Sequence, residues 1–142
     1  MEKEISRRTL LCGVALLSAG ITSATSPAVA ATGVKILKSG KVEVTLKSNS
    51  ALAKVGGVVR VDGVNGQSIA LVRTTSAKTG YSAINLSCTH RGAIVEQSGN
   101  EWACINGHGA TFTLAGKNLV GPATTPLKQV PIKVTATTVT IG

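Results

Sequence analysis

Val42, Val44 and Leu46 alternate with Lys41, Glu43, Thr45 and Lys47, so one side of this stretch is apolar and the other polar. A period of two marks a strand with one buried and one wet face. The runs 58–61 and 68–73 read as further strands, and Tyr81 to Leu86 as another. Gln129 to Val134 and Thr138 to Ile141 close the chain with alternating Val and Ile. Gly56-Gly57, Asp62-Gly63, Asn65-Gly66 and Thr79-Gly80 punctuate these runs and read as turns. No window sustains the 3.6-residue apolar repeat of a helix, and no longer internal repeat is present. Short strands about ten residues apart predict an all-β domain, a small antiparallel sandwich or barrel.

The N-terminus follows a different pattern. Ser6-Arg7-Arg8-Thr9-Leu10-Leu11 opens an apolar run that ends in small residues, Ala28-Val29-Ala30-Ala31. A positive start, an apolar middle and an A-x-A end are the order of a secretory signal. The paired arginines followed by leucines resemble the twin-arginine class. The run from Leu10 to Ala24 is shorter than the roughly 20 residues of a membrane span. The expected organisation is a signal over 1–30, cleaved after Ala30, and one domain over 31–142. The protein is therefore expected in the periplasm or outside the cell.

Charge narrows the partners. Fifteen Lys and Arg against six Asp and Glu give +9. Removal of 1–30 takes Lys3, Arg7, Arg8, Glu2 and Glu4, leaving twelve basic against four acidic residues, or +8. Such a body suits an acidic partner or an anionic surface. Nucleic acid is not expected, because the lysines are scattered and Tyr81, Trp102 and Phe112 are too few for base stacking.

Those three aromatics, both histidines and both cysteines beyond the leader fall between Tyr81 and Phe112. Cys12 goes with the leader. Cys88 and His90 share one Gly-containing loop, and Cys104 and His108 share a second. A hairpin-like stretch, Ala93 to Ala103 around Ser98-Gly99-Asn100, separates them. Two loops joined by a hairpin can present four ligands to one centre. Two thiolates and two imidazoles suit either a tetrahedral zinc or a [2Fe–2S] cluster with His replacing Cys on one iron. A zinc finger keeps its cysteines together and its histidines together, whereas here each pair is mixed. A plain Cys88–Cys104 disulfide is the remaining alternative, since exported cysteines commonly pair.

Cys88-Thr89-His90-Arg91-Gly92, then Cys104 to His108-Gly109, then Gly121-Pro122-Ala123 and Pro126-Leu127 resemble a Rieske-type [2Fe–2S] domain. The resemblance covers about Val42 to Ile141, with the cluster-binding part at about 81–126. It implies one [2Fe–2S] cluster per chain, held by Cys88 and Cys104 on a buried iron and by His90 and His108 on an outer iron. It also implies that Gly92 and Gly109 shape the loops and that Pro122 packs beside the cluster. The sequence departs from the family in three ways. Three residues rather than two separate Cys104 from His108, and Gly107 can absorb the extra one. Ala93 and Asn106 or Gly107 stand where the high-potential branch has two further, disulfide-forming cysteines. Ala110 and Phe112 stand where that branch has Ser and Tyr hydroxyls.

Missing hydroxyl donors predict a potential toward the low end of the Rieske range, which begins at about −150 mV. The expected function is one-electron transfer to or from an acidic redox partner, with Arg91 near the docking surface. No nucleophile–base pairing is visible, so no independent enzyme is expected. Two other readings stand beside it. One is a non-redox module on the same fold. The other is the small redox subunit of a larger oxidoreductase, association with a membrane complex included.

Overall fold

The computed structural model describes residues 32–106 and 108–142. The leader 1–30, with its cleavage site, and Gly107 lie outside the described residues. The strands run in chain order as β1 (Val34–Ile36), β2 (Val42–Thr45), β3 (Val58–Val64), β4 (Gln67–Arg73), β5 (Tyr81–Asn85) and β6 (Glu96–Ser98). They continue as β7 (Glu101–Ala103), β8 (Thr111–Thr113), β9 (Asn118–Val120), β10 (Gln129–Val130), β11 (Ile132–Val134) and β12 (Thr138–Ile141). Two short 3-10 turns, Leu46–Ser48 and Ser50–Ala53, are the helical segments among the described residues.

The strands form three antiparallel four-stranded sheets, in the orders β1-β2-β12-β11, β10-β5-β4-β3 and β6-β7-β8-β9. The middle sheet explains the layering. In β4, Ile69, Ala70, Leu71 and Val72 are all buried, because both faces of the strand are covered. Ile69 and Leu71 join Val42, Val44, Val139 and Ile141 in the core shared with the first sheet. Ala70 and Val72 turn the other way, toward Trp102 and Phe112 of the third sheet. A continuous apolar run is what a strand buried on both faces requires, whereas β2, with one half-exposed face, alternates. The fold is therefore all-β, as the sequence predicts, with a third sheet carried on a two-sheet base.

Two expected elements differ in detail. Gln129 to Val134 is two strands, because Pro131 has no N–H for a ladder. β10 pairs with β5 in the middle sheet, and β11 pairs with β12 in the first. The Pro131 carbonyl still accepts the Gly142 N–H at 2.8 Å. Asp62-Gly63 is not a turn but a bulge inside β3, where the register with β4 shifts between Val61 and Val64. The chain reverses two residues later, at Asn65-Gly66.

Side chains tie the third sheet to the base. Arg60 on β3 donates from its guanidinium to Glu96 Oε2 on β6 at 2.6 Å and to Asp62 Oδ1 at 2.9 Å. Trp102, 1% exposed, donates its indole N–H to the Leu114 carbonyl at 3.1 Å, so its one polar group is satisfied within the core. Tyr81 is half-buried at the far end of the base, with the Arg73 guanidinium 4.3 Å from its ring centre.

Candidate metal centre

The first loop starts where β5 ends. Asn85 is buried, and its side-chain oxygen accepts the Ser87 N–H at 2.8 Å while its amide donates to Gln67 Oε1 at 2.9 Å. This Asx turn lifts the chain off the sheet. Cys88 follows, and the loop closes through two backbone bonds: Cys88 N–H to Ala93 O and Gly92 N–H to Cys88 O, both 2.7 Å. Gly92 lies at φ +77°, a left-handed conformation that a Cβ disfavours.

The second loop starts where β7 ends and repeats that pattern. Cys104 N–H donates to Ala110 O at 2.8 Å, and Gly109 N–H donates to Cys104 O at 3.3 Å. Gly109 lies at φ +69°. In each loop a cysteine makes both closing bonds, and a positive-φ glycine precedes the alanine that accepts. The second loop is one residue longer, and the lengthening falls inside the closed turn, leaving its base unchanged.

The two loops bring like donors together at different depths. Cys88 and Cys104 are both free thiols and both buried, 3% and 2% exposed. They sit in one apolar cluster with Trp102, Phe112 and Ala110. Burial, with the Cys88 thiol beside it, pushes the Cys104 thiol above its ordinary value. The backbone N–H of His108 works in the opposite direction by pointing at that sulfur. The imidazoles lie further out, His90 half-buried and His108 exposed. Their rings meet edge to face, with centroids 4.6 Å apart.

His90 Nδ1 is shielded from solvent and has no hydrogen-bond partner among the described residues. An unpaired buried nitrogen costs about 1–3 kcal/mol, and a metal ion would satisfy it. Among the described residues no three His, Cys, Asp or Glu side chains close on a single ion. A tetrahedral zinc needs four donors about 2.0–2.3 Å from one centre. A pair of sulfurs beneath a pair of nitrogens instead fits a [2Fe–2S] cluster with two Cys and two His ligands. The disulfide alternative is not what the structure has.

The other predicted residues fall around the loops. Arg91 is exposed at the tip of the first loop, and Pro122 is exposed on the segment following β9. That segment is tied to the first loop by the Thr89 hydroxyl, which donates to Thr125 O at 2.7 Å. Ala93 is half-buried and Asn106 exposed. The sequence reading missed Asn85, Ser87 and Thr89. An Asn that ends a strand two residues before a loop N–H is the signal that finds the first of them.

Residues 42–131 match the family described as Rieske [2Fe-2S] domain. Among solved structures, the cyanobacterial plasma membrane Rieske protein PetC3 from Synechocystis PCC 6803 is 27% identical, covers 69% of this chain and 94% of its own, and superposes with a TM-score of 0.54. A hyperthermophilic respiratory Complex III chain is 18% identical over 93% of both chains, with a TM-score of 0.55. The quaternary ammonium Rieske monooxygenase CntA is 19% identical, covering 66% of this chain but 30% of its own, with a TM-score of 0.54. These last two share the fold. No curated protein matches the chain. The family match spans both Cys/His loops and the Gly-Pro segment, and the chain belongs to the Rieske family, whose domain binds a [2Fe–2S] cluster.

Proposed function

We propose that residues 31–142 form an exported one-electron carrier. The observation that supports this most is the pairing of two buried thiols beneath two outward imidazoles. In this reading Cys88 and Cys104 hold the inner iron, and His90 and His108 hold the outer iron. The bound cluster supplies reversible uptake of a single electron. Everything else is the work of the chain. The Trp102 and Phe112 core keeps water from the sulfurs, and the His108 N–H steadies the Cys104 thiolate. The exposed histidine edge brings a partner close, which shortens the electron path.

The finer reading has four parts. The leader 1–30 directs export by the twin-arginine route, with cleavage after Ala30. The potential is low to intermediate, because Ala110 and Phe112, both fully buried beside the thiols, offer no hydroxyl to sulfur. The partner is an acidic redox protein, met by exposed Arg91 and a body of charge +8. The chain serves as carrier or as redox subunit of a larger oxidoreductase, not as an independent enzyme. The likeness to a plasma membrane Rieske protein is compatible with an outward-facing domain at a membrane.

A redox titration tests the potential. A midpoint in the lower part of the Rieske range is expected, and one near its top, about +300 mV, contradicts the reading. For docking, Arg91→Glu should slow electron transfer with an acidic partner at low salt, and an unchanged rate removes Arg91 from the interface. The longer Cys104–His108 spacing favours a second reading, a non-redox module on the same fold. That module would contain no iron.

A further inference from the structure

We propose that the hairpin tip between β1 and β2 is a membrane-contact site for anionic lipid. The tip reads Lys35-Ile36-Leu37-Lys38-Ser39-Gly40-Lys41. Ile36 is 59% exposed and Leu37 36% exposed, while Val42, the next apolar residue, is fully buried. The base core therefore has its aliphatic side chains, and these two are left outside it. Lys35, Lys38 and Lys41 flank the pair along the chain, and all three are exposed.

The tip is held in shape. Leu37 N–H donates to Lys41 O at 2.8 Å, and Gly40 N–H donates to Leu37 O at 2.9 Å. The Asn65 amide reaches Gly40 O at 3.4 Å. Glu43 is the register partner of Lys35, but no ion pair joins them, and Asp62 is paired with Arg60. Gly142 lies against the Lys41 stem.

Two aliphatic side chains between ammonium groups match a lipid interface. The apolar groups enter the headgroup boundary, and the lysines reach the phosphates. An acidic protein surface would engage the lysines yet leave Ile36 and Leu37 facing charge, so the apolar pair decides for lipid.

The position of the tip gives the contact a consequence. Asn65 belongs to the turn joining β3 and β4, at the end of the middle sheet where Ser68 O accepts the Leu86 N–H at 2.9 Å. The chain leaves that same end for Cys88. A protein seated by this tip would hold its metal-centre loops on the membrane side.

The test uses the full chain carrying Leu37→Trp, with vesicles of brominated phosphatidylglycerol or of brominated phosphatidylcholine. Trp102 is buried and gives a constant background. The introduced indole should shift to the blue and be quenched on the anionic vesicles only. Adding Lys38→Glu and Lys41→Glu should weaken this by roughly tenfold or more. Ala136→Trp, at the far end of the base, should stay unquenched. An unquenched tip overturns the proposal, including when another segment holds the chain on the vesicle. So does quenching that is equal on neutral vesicles or unchanged by the lysine reversals. None of these signals involves the metal centre, so failure here leaves the electron-carrier reading intact.

Discussion

The imidazoles of His90 and His108 meet edge to face at 4.6 Å although they hang from loops of unequal length. The relationship survives because both loops close by the same pair of hydrogen bonds, through the N–H and C=O of Cys88 and of Cys104. Length added between those closures alters the tip, not the base. The spacing that departs from the family pattern is thus compatible with histidines that still face one another.

The closures depend on two left-handed glycines, Gly92 and Gly109. Gly109 has open space where a Cβ would stand, and Gly92 has only Ser87 Oγ there, at 3.6 Å. Replacement by alanine therefore costs backbone strain and no clash. Gly92→Ala and Gly109→Ala should each destabilise the protein by about 1–2 kcal/mol, measured by denaturant unfolding. An unchanged midpoint would mean that the loops do not need the positive φ.

Trp102 carries the third sheet. Trp102→Ala should cost about 3–5 kcal/mol, because a fully buried aromatic leaves a cavity. Trp102→Phe should cost less but still leave the Leu114 carbonyl without its donor, about 1–3 kcal/mol. Thermal unfolding separates the two. A Trp102→Phe variant as stable as the parent would contradict a role for the indole N–H.

The Arg60 junction predicts a small acid dependence. Burial acts to raise the Asp62 carboxyl, but hydrogen bonds from Ser68 and Arg60, with the Arg60 charge, hold it below its ordinary 3.8. A lowered carboxyl stabilises the fold above its unfolded value, and that stability is lost as pH falls through the lower folded value. These groups are partly exposed, so the effect should stay below about 1 kcal/mol. Asp62→Asn should flatten the acid limb of a stability–pH curve, and an unaltered limb would contradict the pairing.

Hydroxyls placed by the buried thiols should raise the potential. Ala110 is fully buried, and its carbonyl accepts the Cys104 N–H. Ala110→Ser should move the midpoint to a more positive value in a redox titration, because a donor to sulfur favours the reduced, more negative state. A midpoint that stays in place would contradict the proposal that missing hydroxyl donors at this position set the potential.

Much of this was legible in the residues. Period-two alternation in Val42 to Lys47 exposed the base, and the crowding of Cys, His and aromatics into Tyr81 to Phe112 exposed the site. The short strands β1, β8 and β9 were not legible, because three residues carry too little period to read and Leu119 and Val120 are apolar yet exposed. The switch at Pro131 was missed because alternation continues across it, while the missing N–H forces a change of sheet. The depth order of the donors, thiols beneath imidazoles, is a product of folding that spacing alone does not contain.

The most direct measurement is the iron and acid-labile sulfide content of the purified chain, with the same assay on Cys88→Ser and His108→Ala. The account predicts two irons and two sulfides per chain, as a [2Fe–2S] centre requires, and a loss of both in either variant. A colourless protein that contains zinc, or one whose Cys88 and Cys104 are joined to each other, contradicts it.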